Sequence, residues 1–155
     1  MTPAINTAKK QNVEYRVHEY THDASAESYG TEAAEKLQLS EARVFKTLVV
    51  MLDDKELAVA VIPVSSMLSM KLMAKACGAK KAAMADKTLV ERSTGYVLGG
   101  VSPLGQRKRL TTVIDCSAQD FATVFISAGR RGLEIELAPQ DLQRLSNALL
   151  ANLCQ

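Results

Sequence analysis

The sequence predicts one mixed α/β (α+β) domain over residues 1–155, with a sheet of about six or more strands surrounded by helices. Its length suits a single core that buries roughly 70% of the surface of the unfolded chain. Strand-like apolar runs alternate with amphipathic segments, and no repeat or linker interrupts them. No apolar run approaches the roughly 18 residues of a membrane span. Because the start "MTPAINTAKK" lacks the apolar core of a signal peptide, we expect a cytoplasmic protein.

Two short helices are predicted in the first quarter of the chain. Thr2 is a favourable N-cap and Pro3 a favourable first helical residue, which predicts a helix that ends near Gln11. Residues 30–38 form the second predicted helix.

Three strands are predicted in the first 63 residues. The alternation in "VEYRVHEY" predicts a strand whose Val13, Tyr15 and Val17 side chains face the core. The apolar runs "VFKTLVVML" and "ELAVAVIP" flank an Asp-Asp-Lys turn and predict a hairpin of two buried strands.

Helices and strands also alternate in the remainder of the chain. Ser66 is predicted to cap a helix that Gly78 ends, and a short helix follows Asp86. The apolar stripe of the first of these helices consists of Met67, Met70, Ala74 and Cys77. Strands are predicted near residues 96–98, 110–115, 122–127 and 133–137. The last helix begins at Pro139, and its predicted core face consists of Leu142, Leu145, Leu149 and Leu153.

Basic residues are concentrated in the middle of the chain. Residues 1–62 carry 7 basic and 10 acidic side chains, residues 63–112 carry 9 and 2, and residues 113–155 carry 3 and 5. The middle segment therefore has a net charge of +7, whereas the whole chain has +2. Such asymmetry is typical of a surface that binds a polyanion, although a solvated lysine-rich surface produces the same pattern.

Sequence patterns of covalent or metal-dependent catalysis are missing. The three cysteines are far apart with no CxxC pair, and the two histidines, His18 and His22, lie in an acidic segment. No GxSxG, HExxH or Walker-type sequence occurs. We therefore expect structural thiols, no metal and no cofactor.

Several residues fit the predicted strands poorly and are candidates for a binding site. Lys46 interrupts an apolar strand, where a buried, unpaired ammonium group is costly, so its amine must reach solvent, a carboxylate or a ligand. Thr47 would point to the opposite face of a regular strand.

Tyr20 is an even number of residues from Arg16 and His18, so it is predicted to lie on the polar side of its strand. Tyr29 lies in a polar stretch. Tyr20 is either an exposed tyrosine at a strand end without a role or a residue that stacks on a base or hydrogen-bonds a ligand. Tyr29 is either a packing residue or an aromatic wall of a pocket.

The stretch "GYVLGGVSPLG", residues 95–105, contains four of the eight glycines of the chain. Gly99 and Gly100 permit positive φ and leave N–H groups accessible to a carbonyl or phosphate. Pro103 stiffens the exit and favours an extended conformation at Ser102. A connection of this length is either a binding loop or a wide, exposed turn, and the residues alone leave both interpretations open.

Three stretches, in this order, resemble the YbaK family of Cys-tRNA(Pro) deacylases: "FKTLVV", "MADKTLVERSTGYVLGGVSPLGQRKR" and "SAGRRGLEIELAPQDL". This family is part of the aminoacyl-tRNA editing domains related to the prolyl-tRNA synthetase insertion domain. The resemblance runs from residue 1 to about residue 145. It implies a mixed sheet curved into a barrel-like core, and hydrolysis in trans of the ester that joins misattached cysteine to proline tRNA.

The resemblance also implies roles for individual residues. Lys46 matches the essential lysine of the family and Gly99 the glycine whose backbone faces the aminoacyl group, so these two are the predicted catalytic residues. Glu134 occupies a position where relatives often have aspartate. The predicted substrate-binding residues are Tyr20, Tyr29, Thr47, Gly100, Ser102, Pro103, Ser127 and Glu134.

In the mechanism that the resemblance implies, the thiol of the substrate cysteine attacks its own ester carbonyl and leaves as a cyclic thiolactone. The protein then supplies proximity and electrostatic stabilisation. The expected partners are the acceptor end of cysteine-charged tRNA(Pro) and prolyl-tRNA synthetase, with no membrane or DNA partner. The residues predicted to contact tRNA phosphates are Lys71, Lys75, Lys80, Lys81, Arg107, Lys108 and Arg109.

Two alternatives remain open at this point. One is an editing deacylase for another small amino acid, such as alanine. The other is a tRNA-binding or synthetase-binding module without hydrolytic activity.

Overall fold

Five α-helices and eight strands make up the regular structure of residues 1–23 and 29–155, the part of the chain that the computed structural model describes. The helices are α1 (Pro3–Lys10), α2 (Tyr29–Lys36), α3 (Met70–Ala76), α4 (Lys87–Thr94) and α5 (Pro139–Ser146). The strands are β1 (Tyr15–Glu19), β2 (Phe45–Leu52), β3 (Glu56–Pro63), β4 (Ala82–Met84), β5 (Thr111–Asp115), β6 (Val124–Arg130), β7 (Leu133–Leu137) and β8 (Leu149–Ala151).

The strands divide between two sheets. One is antiparallel with the order β1-β7-β6, and the other is mixed with the order β4-β2-β3-β5-β8. An isolated parallel bridge between Val44 and Phe125 joins β6 to the start of β2. The mixed α/β architecture is confirmed. Neither sheet closes into a barrel within the described ranges, so the predicted barrel-like core is not confirmed.

The main core lies between the two sheets. Val49 of β2, Ile126 of β6 and Ile135 of β7 belong to it, and each is at most 3% exposed. The opposite face of the five-stranded sheet is covered by α3, whose Met73 packs with Ile62 of β3. The five-stranded sheet is therefore buried on both faces, which explains why β2 and β3 are almost continuously apolar.

The local signals at the amino terminus and in the hairpin are confirmed. The Thr2 hydroxyl caps α1 by accepting a hydrogen bond from the Ile5 amide at 3.2 Å. Asp53 and Asp54 join β2 to β3 with φ of 51° and 57°. Positive φ at both turn residues matches the twist of a tight hairpin.

The α3 helix begins later than predicted. Ser69, not Ser66, is its N-cap, because the Ser69 hydroxyl accepts a hydrogen bond from the Leu72 amide at 3.1 Å. Met67 lies before the helix and is 69% exposed, so its assignment to the buried stripe was wrong.

The last helix is also shorter than predicted. It ends at Ser146 because Asn147 adopts a left-handed conformation with φ of 54°. Leu149 lies in β8 and is 53% exposed, whereas Leu153 is fully buried beyond that strand. Neither leucine belongs to the core face of the helix.

Two strand predictions were wrong as well. Residues 96–98 form a loop and not a strand. Val17 was expected to face the core but is 41% exposed, because β1 is an edge strand of its sheet. The short strand β4, which pairs with the far end of β2, has too few residues to produce a periodic signal.

Tyr96 holds the loop of residues 95–105 closed. Its side chain is 5% exposed, and its hydroxyl donates a hydrogen bond to the Leu104 carbonyl at 2.6 Å. Burial raises the pKa of Tyr96 to about 12, so the hydroxyl remains a donor at neutral pH. The second half of the loop, residues 100–104, is buried, which argues against a wide, exposed turn.

We expect Tyr96→Phe to lower the free energy of unfolding by about 1–3 kcal/mol, because the buried Leu104 carbonyl loses its donor. Urea unfolding measures this change. Tyr15→Phe is a suitable control, since the Tyr15 hydroxyl has no hydrogen-bond partner among residues 1–23 and 29–155. Equal effects of the two substitutions would contradict the assigned role of the Tyr96 hydrogen bond.

Candidate active site

A pocket opens where β2 and β6 separate. The two chain segments lie side by side at the Val44–Phe125 bridge, where the Phe125 amide donates to the Arg43 carbonyl at 3.1 Å. In the described part of the chain, no further backbone pairing joins the two strands. A cavity of about 540 Å³ is bordered by residues 45–48 of β2 and by Ser127 of β6.

The pocket collects residues that are distant in the sequence. Seven predicted site residues line it: Tyr20, Tyr29, Lys46, Thr47, Gly99, Ser127 and Glu134. Seven residues that the sequence analysis did not select complete the lining: Gly30, Phe45, Leu48, Lys87, Leu98, Val101 and Arg131.

Thr47 lines the pocket together with Lys46, although neighbouring side chains of a strand point to opposite faces. The reason is the position of the pocket at the edge of β2, beyond the stretch that pairs with β4. Side chains from both faces reach an unpaired edge. The Thr47 hydroxyl oxygen is buried and has no hydrogen-bond partner among the described residues, so it is available to a ligand.

Ser127 and Glu134 reach the pocket through the register of β6 and β7. They are directly opposite each other, and their side chains therefore share one face of the three-stranded sheet. The alternate residues, including Ile126 and Ile135, point to the main core. The period of two thus separates a polar face from an apolar face.

The Glu134 carboxyl group is the buried acid of the pocket. It is 7% exposed and forms no hydrogen bond or ion pair within the described residues. Burial raises the pKa of Glu134 to about 8, so the group is mostly neutral at pH 7. Burial, followed by the charge of Glu134, also raises the pKa of the Tyr20 hydroxyl. Glu134 can donate a hydrogen bond as an acid or ionise beside a cationic ligand.

Two ammonium groups in the pocket have no partner among the described residues. Lys46 is half-buried on β2, and Lys87 is exposed in the first turn of α4. Neither forms an ion pair or a hydrogen bond in the part of the chain that is described. With a mostly neutral Glu134, the pocket carries net positive charge and is suited to an anionic ligand.

Gly99 is part of the pocket wall, at a position where a side chain would not fit. Its φ is 95°, and a Cβ atom at this position would lie 2.6 Å from Cε2 of Tyr29. The Gly99 amide donates to no group among the described residues, so its N–H can bind a ligand oxygen. Gly100 serves a different purpose, since its Cβ would lie 2.7 Å from the Cα of Arg130.

Three predicted substrate-binding residues do not line the pocket: Gly100, Ser102 and Pro103. Ser102 is fully buried, and its hydroxyl accepts a hydrogen bond from the Leu104 amide at 3.3 Å. Pro103 borders a separate hollow of about 210 Å³. These residues shape the loop that carries Gly99.

The seven predicted tRNA-binding residues are all exposed, and none of them lines the pocket. Lys80 and Lys81 lie at the far end of the β2–β3 hairpin, where their amides donate to the Asp53 carboxylate. The rise along β2 places this end about 20 Å from Lys46. Lys108 and Arg109 border the same hollow as Pro103, while Lys71 and Lys75 belong to α3 and Arg107 follows the loop.

The three thiols lie outside the pocket. Burial raises the pKa of Cys77 and of Cys154, which disfavours their nucleophilic thiolate forms, and Cys116 is exposed. In the described ranges, no three His, Cys, Asp or Glu side chains are placed to bind a metal ion. No helix in those ranges has the length and apolar character to cross a bilayer.

A model of the aminoacyl-tRNA editing domain matches residues 24–145, which is most of the chain and includes the pocket residues Tyr29 to Glu134. The chain belongs to this family. Its membership confirms the resemblance described above and the predicted class of aminoacyl-tRNA hydrolase.

Individual members of the family are similar over nearly the whole chain. The "Putative Cys-tRNA(Pro)/Cys-tRNA(Cys) deacylase EbsC" of Enterococcus faecalis is 37% identical, covering 98% of this chain and 92% of that protein. A solved structure described as "a putative trans-editing enzyme for prolyl tRNA synthetase" has a TM-score of 0.85 at 20% identity, with 100% and 99% of the two chains covered. The hypothetical protein APE2540 has a TM-score of 0.88 at 24% identity, with 99% and 100% covered. These two structures establish the fold alone.

Lys87 and Arg131 are the charged pocket residues that sequence reasoning missed. Both lie within the stretches that resemble the editing family, in "MADKTLVERSTG" and "SAGRRG". Lys87 directly follows Asp86, which is the N-cap of α4. An exposed lysine in a first helical turn and an arginine in a hairpin turn have no unusual sequence pattern, so only the tertiary structure identifies them.

We expect Gly99→Ala to lower kcat/KM for aminoacyl-tRNA at least ten-fold, because the new Cβ displaces the Tyr29 ring. Gly78→Ala is the matched control: its φ is also positive, at 69°, but nothing lies within 4 Å of the added Cβ. Each substitution costs about 1–2 kcal/mol of stability from backbone strain. Steady-state kinetics and thermal melting of both variants test this. Equal losses of activity would show that Gly99 has only a conformational role.

Proposed function

We propose that the protein is a trans-editing deacylase that removes cysteine from Cys-tRNA(Pro). The observation that carries this proposal is a positively charged pocket with a glycine wall and no cysteine or histidine among its described lining residues. Ser127 and Thr47 supply hydroxyls, but the described lining residues include no histidine to activate them. In the described ranges neither hydroxyl is hydrogen-bonded to Lys46 or Glu134, the two groups of the pocket that could act as a base. A substrate that carries its own nucleophile suits such a site.

The proposed reaction begins with the thiol of the bound cysteine. Its sulfur attacks the carbonyl carbon of the ester, a C–S bond forms, and the bond between that carbon and the ribose oxygen breaks. The thiol proton ends on the released ribose hydroxyl. The products are a cyclic thiolactone and uncharged tRNA. Holding the sulfur near the carbonyl supplies much of the rate enhancement.

In the proposed reaction, the protein stabilises the negative charge that develops on the carbonyl oxygen. The N–H of Gly99, which has no acceptor among the described residues, is the proposed donor to the carbonyl oxygen as negative charge develops on it. The Lys46 ammonium group stabilises the same charge or holds the terminal ribose and phosphate. Tyr20, Thr47, Ser127 and Glu134 enclose the aminoacyl group.

The remainder of the tRNA is the proposed ligand of the exposed basic residues. We assign Lys87, which lines the pocket, to the phosphates of the terminal nucleotides, and the seven exposed basic residues outside the pocket to the acceptor stem. Phosphate contacts do not distinguish one tRNA from another, so we propose that prolyl-tRNA synthetase supplies this selectivity. We also propose that residues 1–155 act as one editing domain.

A comparison of substrates tests the function. Pure protein in catalytic amounts is incubated with Cys-tRNA(Pro) and with Ala-tRNA(Pro), and the release of each amino acid is measured. The thiol mechanism predicts multiple turnovers with the cysteine ester and little reaction with the alanine ester. Preference for alanine would favour the alternative editing activity. No turnover of either ester would favour a binding module and contradict the proposal.

We expect Lys46→Ala to lower kcat/KM for Cys-tRNA(Pro) by about 100-fold or more, in the range of a lost electrostatic donor. The melting temperature should be almost unchanged, because the Lys46 ammonium group has no partner among the described residues. Lys55→Ala, at the exposed hairpin turn, controls for loss of one positive charge. A wild-type rate for Lys46→Ala would remove this residue from the site.

Glu134 is expected to make stability fall as pH rises. Its folded pKa of about 8 lies above the ordinary 4.5, so the folded state holds its proton more tightly than the unfolded state. The associated stability is present below the unfolded pKa and is lost as pH rises to about 8. Relative to the wild type, Glu134→Gln should therefore become more stable between pH 5 and pH 8. Urea unfolding at several pH values measures the difference, and parallel pH dependences would contradict a raised pKa.

A further inference from the structure

We propose that Arg131 is a positioning residue that holds the Tyr29 wall of the pocket and so determines which aminoacyl side chains fit. The inference rests on the proposed function. It concerns side-chain selectivity, which neither Lys46 nor Gly99 explains.

Arg131 binds two residues of the same helical face. Its guanidinium carbon lies 4.2 Å from the centre of the Tyr29 ring, a distance at which cation and ring attract. Its Nε lies 3.2 Å from a carboxylate oxygen of Glu32. Tyr29 and Glu32 are three residues apart in the first turn of α2, so one guanidinium group can reach both.

The ion pair keeps the guanidinium group in place. The Glu32 side chain is only 4% exposed, and the Arg131 side chain is 18% exposed. Glu32 also accepts a hydrogen bond from the Asp23 amide at 2.6 Å, and Arg131 donates to the Asp23 carbonyl. A planar guanidinium group can stack on a ring and bind a carboxylate at once, which an ammonium group cannot do.

Gly99 lies against the Tyr29 ring as well. A Cβ on Gly99 would lie 2.6 Å from Cε2 and 2.9 Å from Cδ2 of that ring. The ring is therefore confined by the glycine loop and by Arg131. Both Tyr29 and Arg131 line the pocket, and the Tyr29 side chain is partly exposed.

The end of β6 also contacts the glycine loop. Arg131 lies in the turn between β6 and β7, and the backbone of Arg130, the last residue of β6, packs against Gly100. Two adjacent residues thus contact α2 and the loop. Loss of the guanidinium group would remove one of the two contacts that confine the Tyr29 ring and would deprive the buried Glu32 carboxylate of its ion pair. The Tyr29 ring would then move aside for a larger aminoacyl side chain.

The test compares two substrates with the same chemistry and different bulk. Penicillamine is cysteine with two added methyl groups, and its thiol has the same spacing from the carbonyl. We expect Arg131→Ala to raise the ratio of kcat/KM for penicillaminyl-tRNA(Pro) to that for Cys-tRNA(Pro) at least ten-fold. Arg131→Lys, which retains a charge for Glu32 but loses planar stacking, should raise it about three-fold. Arg130→Ala is the matched control and should leave the ratio unchanged.

Substitutions of Tyr29 test whether Arg131 acts on selectivity through the Tyr29 ring. Tyr29→Phe should keep the wild-type ratio, and Tyr29→Ala should raise it as Arg131→Ala does. The double variant Tyr29→Ala/Arg131→Ala should add nothing to either single one, because both act on the same wall. An unchanged ratio in Arg131→Lys and in Arg131→Ala, or additive effects in the double variant, would overturn the inference.

Stable amide analogues separate this inference from the proposed function. The dissociation constants of cysteinyl and penicillaminyl 3′-amino-adenosine amides report the fit of each side chain without hydrolysis. If the wild type binds the cysteinyl amide but hydrolyses neither ester, the proposed function fails and the ratio of dissociation constants decides the inference by the same criteria. If the wild type binds neither amide, both proposals are overturned.

Discussion

The separation of two parallel strand segments is the constraint on which this site depends. β2 and β6 meet at one bridge, between Val44 and Phe125, and then diverge. A continued ladder would have closed this edge of β2 with backbone hydrogen bonds. Because the pairing stops, an edge of β2 without a strand partner in the described ranges borders the polar face of the three-stranded sheet. The pocket is the opening that results.

The charges in the pocket are consistent with an anionic ligand that bears a neutral reacting group. Two ammonium groups, on Lys46 and Lys87, are free of protein partners in the described ranges. The nearby acid, Glu134, is too buried to ionise readily and so does not cancel them. A site of this kind attracts phosphates at its opening and presents neutral hydrogen-bonding groups inside. It has the electrostatics for the end of an aminoacyl-tRNA without a covalent nucleophile.

The glycine loop, residues 95–105, packs against two parts of the structure and also supplies a wall of the pocket. Gly100 permits contact with the backbone of β6, and Gly99 permits contact with the Tyr29 ring. The Gly99 amide has no acceptor within residues 1–23 and 29–155. Tyr96 closes the loop through its hydrogen bond to the Leu104 carbonyl. The wall of the pocket is therefore a backbone segment held from both sides, which suits a group that must stabilise charge without moving.

The sequence by itself determined the features that depend on neighbouring residues: the capped α1, the β2–β3 hairpin with its two buried strands, and the unusual positions of Lys46 and Gly99. Periodicity, capping and turn chemistry act over a few residues, so they can be interpreted locally. The tertiary structure alone decided that Ser102 and Pro103 lie outside the pocket, and that Arg131 and Lys87 belong to it. Those outcomes depend on where two strands diverge and which turns meet across the opening. The contacts involved join residues about 100 positions apart, such as Arg131 and Glu32, and no local pattern encodes them.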